Sequence, residues 1–533
     1  MKKASGLMRR TVRVAAMAAL FAGTSAFAQD YDVLIRGGTV YDGTGSEGQK
    51  VDVAIRGERI VEVGRIAATA TASTVVDATG KIVSPGFIDP HSHAGEGLVD
   101  PEVAGAAAIL YQGITTLAIN PDGGGPGDIA PQLATIEGHG TGINVVPLIG
   151  HNGVRRDVMG VANRKASSKE LAAMEALVKK GMEDGAYGFS SGPFYVPGKY
   201  SDTAELVQLA RVAAQYPHSF HISHIRDESN YDIGVLDAIG EVIEVSRQAR
   251  IPGIVTHMKV LGPQLWGKSR EAVALIESAR AEGLSIWADQ YPYAASGSGL
   301  QPALLPGWAQ EGGPEAIARR LQDPKQRAVI REAMVENLAR RGGANAIMIR
   351  NFPPDPSLQG QRLDEIAAAR GMHPLDVAID MLIQGGSSIV SFNMSEDDIE
   401  YIMRQPWTMT STDGGLQAFG VGGTHPRSYG AFPRKIRNYV LDKPVIPMAQ
   451  AIHSSTGLTA QVLHIDDRGV LRAGAYADVI VFDPKAIRDT ATYDKPHAFS
   501  EGMSFILVNG KPALVDGKVT DERHGKVLRR AKD

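Results

Sequence analysis

The chain of 533 residues contains no cysteine. Disulfides are therefore excluded, and so are thiolate nucleophiles and thiolate metal ligands. Any metal must be held by His, Asp, Glu or a modified Lys. A charge excess of one sign is also missing. The 55 basic residues face 59 acidic ones and no basic block stands out, so nucleic acid is not an expected partner. Long apolar runs are scarce, and no stable membrane span is expected once the N-terminal segment is removed.

What is present is ordinary for a globular protein, with 43% hydrophobic and 21% charged residues. The length calls for two or three domains. The 60 glycines suit many tight strand-to-helix turns. Residues 1–28 read as a signal peptide: Lys2, Lys3, Arg9, Arg10 and Arg13, a short apolar stretch, then Ala26-Phe27-Ala28 as an A-x-A cleavage site. Loss of that leader takes the net charge from -4 to -9. An uncleaved anchor is the alternative, and the Arg9-Arg10 pair is a weak twin-arginine hint. Export without disulfides fits a periplasm-like compartment.

Residues 29–85 are rich in β-branched residues and Gly turns, and the texture returns in 466–533 with "GVLRAGAYADVIVFDP" and "MSFILVNGKPALVDGKVT". Sheets with open edges seek partners, so both ends are expected to build one small β-sandwich domain. Between them, 86–465 alternates apolar strands with helical patterns such as "SSKELAAMEALVKKGMEDG". That order predicts an α/β fold with a closed (β/α)8 TIM-type barrel. The strands "AIMIRNF" and "SSIVSFNMS" exceed eight, and an insertion is expected near 297–350.

In "GFIDPHSHAGEG", His91 and His93 stand at i and i+2 where a strand ends. Strand geometry sends both to one side, so they read as half a metal site or, more blandly, as two polar residues in a turn. His224 ends another strand and His257 the next, 33 residues on, about one βα repeat. Asp413 in "WTMTSTDGG" ends a further apolar run. In a barrel these ends share one face, where catalytic groups collect. A divalent ion there would acidify water and polarise a carbonyl, and a rim aspartate could move the proton. Zinc suits imidazole best, though other divalent metals remain possible. His151 ends a strand and could line the pocket. Arg226 and Lys259 lie two residues past proposed ligands and could bind a substrate anion or form structural ion pairs.

"GFIDPHSH", "QGITT", "GAYGFSSGPFYVPGKYSDTAELVQLARVA", "HISHIRDE", "VTHMK", "DQYPYAASGSG", "STDG" and "THPRSYGAFPR" together resemble the N-acyl-D-amino-acid deacylase (D-aminoacylase) family of the amidohydrolase superfamily, over about residues 31–530. The resemblance implies an exported hydrolase that cleaves small N-acyl-D-amino acids to a carboxylate and a D-amino acid. It implies one or two zinc ions, with His224 and His257 at the tighter position and His91 and His93 at the weaker. Asp413 would be general base and acid, Arg427 would bind the substrate carboxylate, and Tyr291 and Ser298 would touch substrate. The family's metal-binding cysteine is absent, and Asp122 stands in its place. Alternatives are a dipeptidase, a cyclic amidase, or a non-catalytic metal-binding barrel. The strand "AYGFSS" offers no lysine for the bridging ligand usual in cyclic amidases.

Overall fold

The computed structural model describes residues 29–530. The expected leader, residues 1–28, lies outside the described residues. Eight strands form the central sheet in chain order, all parallel: β1 (Phe87–Asp89), β2 (Ile114–Ile119), β3 (Asn144–Gly150), β4 (Gly188–Ser191), β5 (His221–Ser223), β6 (Gly253–Val255), β7 (Ile286–Gln290) and β8 (Thr408–Thr410). The sheet closes just past the strand ends, where Asp413 N–H donates to His91 O at 3.0 Å and His93 N–H to Gly414 O at 2.8 Å. The result is a (β/α)8 barrel. Strands such as β3 are buried along their whole length, because helices cover one face and the barrel core the other. That core packs Ile88, Ala118, Val146, Ile222, Ile254 and Met409.

The outer helices start where local chemistry allows. Ser167 and Glu170 form a capping box at Ser168–Glu183, and Asp202 caps Thr203–Ala213. Apolar side chains of these helices, among them Met174, Val178, Leu206 and Ala210, pack inward. Among the described residues no helix is long and apolar enough to cross a membrane.

Between β7 and β8 the chain leaves the barrel. Ser296–Gly299, Ser388–Ser391 and Ile347–Asn351 form a three-stranded antiparallel sheet. Helices Gly313–Gln322, Pro324–Arg340 and Pro374–Ile383 pack on it through Leu321, Met334, Ile347, Ile379 and Ile389. The surplus strands of the sequence belong here. The excursion reaches Ser391, well beyond the expected 350, because its helices share one apolar core with the last strand.

Two further sheets face one another. One is built from Tyr31–Arg36, Asp52–Arg56, Arg59–Gly64 and Ala72–Asp77. The other joins both chain ends, with Val479–Phe482 antiparallel to Ile82–Pro85. Val33, Ile35, Val53 and Ile55 of the first pack on Val83, Val481, Phe505 and Leu507 of the second.

Candidate metal centre

The C-terminal ends of the barrel strands bring six donors to one point. His91 and His93 follow β1, Asp122 follows β2, His224 follows β5, His257 follows β6 and Asp413 follows β8. Asp122 is the hub. Its Oδ1 lies 3.3 Å from His91 Nε2 and 3.6 Å from His257 Nε2; its Oδ2 lies 3.3 Å from His93 Nε2 and 3.7 Å from His224 Nδ1. Asp413 Oδ1 stands 3.1 Å from His93 Nε2 and 3.6 Å from His91 Nε2. His224 Nδ1 and His257 Nε2 face each other at 2.8 Å.

The backbone bends sharply to achieve this. Asp122, His257 and Asp413 all have left-handed φ values of 55°, 34° and 49°, uncommon for residues with a side chain. Buried carboxylates hold the turns. Asp289 Oδ1 accepts from His257 N at 2.9 Å and from Ser411 Oγ at 2.6 Å. Asp89 Oδ1 accepts from His91 N and Thr412 N, each at 3.1 Å. Burial pushes the Asp89 carboxyl up to about 7 despite these bonds.

The donors suit a divalent cation. His91 Nδ1 and Nε2, Asp122 Oδ1 and His224 Nε2 are buried without a hydrogen-bond partner among the described residues. Lone pairs of this kind are satisfied by coordination. His91, Asp122, His257 and Asp413 form one possible ligand group, and His224, Glu228 and His257 another. Burial would raise the carboxyl of Asp122, but His91 and His257 hold it well below the usual carboxylate range. Asp413 is likewise held low, against burial, chiefly by Arg427. Both are anionic.

A cavity of about 410 Å³ opens over these donors, with Lys259, Ser298 and Arg427 on its wall. Arg427 Nη1 sits 2.8 Å from Asp413 Oδ2, and its guanidinium lies 4.6 Å from the Tyr291 ring centroid. Lys259 Nζ is 2.5 Å from Glu228 Oε1 and 2.7 Å from His257 Nδ1.

Three expected substrate contacts are placed elsewhere. Arg226 turns away from the cavity and grips Glu241 with bonds of 2.7 and 2.9 Å, a buried structural ion pair. His151 opens a helix behind β3 and bonds Glu205 Oε1 at 2.8 Å, beside Arg155. Tyr291, only 1% exposed, lies behind Arg427 and Lys259 and supports them.

Sequence reasoning missed several cavity residues, among them Tyr195, Glu228 and Arg350. Glu228 follows His224 by four residues, which was the available signal. The Tyr195 ring lies tilted at 51° against His224, with centroids 4.7 Å apart. Burial, then the nearby carboxylates, raise its hydroxyl pKa far above normal, so it stays a hydrogen-bond donor.

A model of the amidohydrolase family matches residues 139–514. The chain is 33% identical to an N-acyl-D-glutamate deacylase of Alcaligenes xylosoxydans xylosoxydans, over 94% of this chain and 96% of that one. It is 30% identical to a D-aminoacylase of the same organism, over 94% and 98%. A solved structure of N-acyl-D-glutamate deacylase from Bordetella bronchiseptica, with zinc and a phosphonate inhibitor, superposes with a TM-score of 0.79 at 32% identity, over 94% of this chain and 99% of that one.

Proposed function

The chain belongs to the amidohydrolase family, in its N-acyl-D-amino-acid deacylase branch, and from that premise we propose that it hydrolyses N-acyl-D-amino acids to a carboxylate and a free D-amino acid. It is a metal-dependent hydrolase of linear amides. The observation that carries the finer reading is the 2.8 Å pair of Arg427 and Asp413 at the edge of the imidazole cluster. It sets a carboxylate-binding cation beside a proton-accepting anion.

His91, His93, Asp122, His224 and His257 would hold one or two zinc ions. When bound, a divalent ion supplies a more acidic water and a polarised carbonyl. Asp413 accepts a proton from the attacking water and returns it to the amide nitrogen as the C–N bond breaks. Arg427 keeps Asp413 ionised for the first of these tasks. Its fork also binds the substrate α-carboxylate, with Lys259 and Ser298 on the same wall. Fixing the carboxylate and the acyl carbonyl leaves one hand of the α-carbon able to present its amide bond to Asp413. The order of basic residues, apolar stretch and Ala-Phe-Ala in residues 1–28 supports an exported, periplasm-like location, tested by N-terminal sequencing of the secreted chain.

The test is metal content and turnover together. Zinc-loaded protein is expected to release amine from N-acetyl-D-amino acids and not from their L forms, and chelation to abolish this. Asp413→Asn is expected to lower kcat by about 10²–10⁴-fold. Turnover confined to dipeptides or cyclic amides would overturn the substrate assignment.

A further inference from the structure

His425 stands two residues before Arg427 and is only 1% exposed. Both of its ring nitrogens are engaged. Nδ1 accepts from the backbone N–H of Arg427 at 3.1 Å, where helix Arg427–Ile436 begins. Nε2 donates to the carbonyl oxygen of Ala295 at 3.2 Å. One acceptor and one donor fix a neutral ring in a single tautomer. Burial, then the charges of Arg427 and Arg350, favour the same neutral form. The rings of Tyr293 and Tyr493 stand edge-on to it, with centroids 5.4 and 5.3 Å away.

Ala295 leads directly into the excursion strand Ser296–Gly299, which supplies Ser298 to the cavity wall. The same strand passes against the Arg427 guanidinium. A Cβ on Gly297 would meet Arg427 Nη2 at 3.1 Å. His425 therefore joins the backbone of Arg427 to the strand on which the fork of Arg427 rests. Asn or Asp at this place would supply the bond to the N–H two residues on, as they do in Asx turns. Neither is long enough to reach Ala295 as well. A histidine has its second nitrogen on the far side of the ring, and the structure uses it.

We propose that His425 is a positioning residue that holds the Arg427 fork against the excursion strand and so sets how tightly the substrate α-carboxylate is bound. The proposal rests on the deacylase reading for the carboxylate and on the two ring bonds for the coupling. Arg427 Nη1 is also held by Asp413 at 2.8 Å. With the bond to Ala295 cut, helix and strand are free to part, and the fork stays with Asp413 instead of the wall. The substrate must then order the fork as it binds, and affinity falls by that cost.

The test compares N-acetyl-D-alanine with N-acetyl-D-alaninamide, which lacks the carboxylate, by release of acetate. The zinc-loaded enzyme is expected to favour the acid by about 10–100-fold in kcat/KM, the range of one charged hydrogen-bonded contact. His425→Asn keeps the bond to Arg427 and loses the one to Ala295. It is expected to raise KM for the acid by about 10-fold, with kcat and the amide substrate changed by less than about threefold. His425→Gln places an amide N–H near the far nitrogen and is expected to regain most of the preference. In an Arg427→Met background, His425→Asn should change the acid-to-amide ratio no further, the mark of a residue that acts through Arg427. Melting curves verify that each variant is folded. No preference for the acid in the parent would overturn the proposal. So would a folded His425→Asn that keeps the parent ratio, or one that slows acid and amide equally, because the ring would then serve the fold alone. If His425→Asn does not fold, a folded His425→Gln without the preference overturns it instead. Calorimetry with D-alanine and D-alaninamide repeats the comparison without turnover. If the tighter binding of D-alanine is lost in His425→Asn while no N-acyl-D-amino acid is hydrolysed, the positioning role stands and the deacylase reading falls.

Discussion

At the residue scale, the donors around Asp122 make metal loading a proton-coupled event. Burial disfavours charge on His93, but Asp122 and Asp413 outweigh it and push the ring up to about 9. On His257, burial and Lys259 oppose charge, while Glu228, Asp413 and Asp122 raise it to about 10. Both rings are therefore protonated at pH 7.5 in the metal-free protein, and a coordinated imidazole nitrogen must give up its proton. Zinc binding at that pH is expected to release one proton from each ring. Apparent affinity should climb with pH until about 9–10 and fall in acid. Calorimetric titration of the metal-free protein in buffers of different ionisation enthalpy measures the release. A buffer-independent enthalpy would show that these rings are not the ligands. The histidines and Asp413 were legible in the sequence because a strand end fixes where a side chain points. Glu228, Tyr195 and Arg350 were not, because each reaches the cavity from a loop or from the excursion, whose placement depends on tertiary packing. Arg226 misled for the same reason: two residues past a ligand means the same face only while the chain stays extended, and after His224 it turns.

At the element scale, helix Arg427–Ile436 serves two ends. Its first residue faces the cavity, and near its last turn Lys435 is buried against β8. Lys435 Nζ donates to Thr410 Oγ1 at 2.7 Å and Ser454 Oγ at 2.9 Å, and among the described residues no carboxylate is paired to it. Burial lowers it to about 7. Between pH 7 and about 10.4 the unfolded lysine keeps its proton and the folded one does not. The unfolded state then binds more protons, so stability rises with pH through this window. Below pH 7 both states are charged and the penalty is constant. The full gain is of order 4–5 kcal/mol. Lys435→Met should abolish this slope, whatever its constant offset from the lost hydroxyl contacts. Melting temperature against pH for the two proteins measures it, and parallel curves would refute it. The barrel strands were readable for a related reason. Doubly covered strands such as β3 are largely apolar, and their ends turn polar at the open face. The excursion was harder to delimit. Its strands are short and antiparallel, and its helices look in sequence like those of the barrel.

At the scale of the whole molecule, the chain ends are tied to the barrel at the face opposite the metal centre. Asp478 precedes the strand Val479–Phe482 and is buried with Arg468, which pairs with it. Its carboxylate also accepts from Asn509 N at 2.8 Å and from Asn144 Nδ2, at the start of β3, at 3.3 Å. Asn509 Nδ2 returns a bond to Asn144 Oδ1 at 2.8 Å. Sandwich and barrel therefore share one buried polar network, and the sandwich strand Ile82–Pro85 leads through Gly86 alone into barrel strand β1. Asp478→Ala would leave the Arg468 guanidinium buried and unpaired, at a cost of about 3–5 kcal/mol. With an unfolding entropy of roughly 2.1 cal/mol/K per residue, a chain of this length loses only about 3–5 °C in Tm. The one-residue connection at Gly86 should keep the melt a single transition. Metal content and turnover per folded molecule should stay at the parent level, because the network lies at Asn144 and the donors lie beyond the other end of the strands. Calorimetry with parallel zinc analysis decides. Two separated transitions would mean that the sandwich is an independent unit that merely rests on the barrel, and loss of zinc from the folded variant would mean that the tie at the far face sets the geometry of the metal centre.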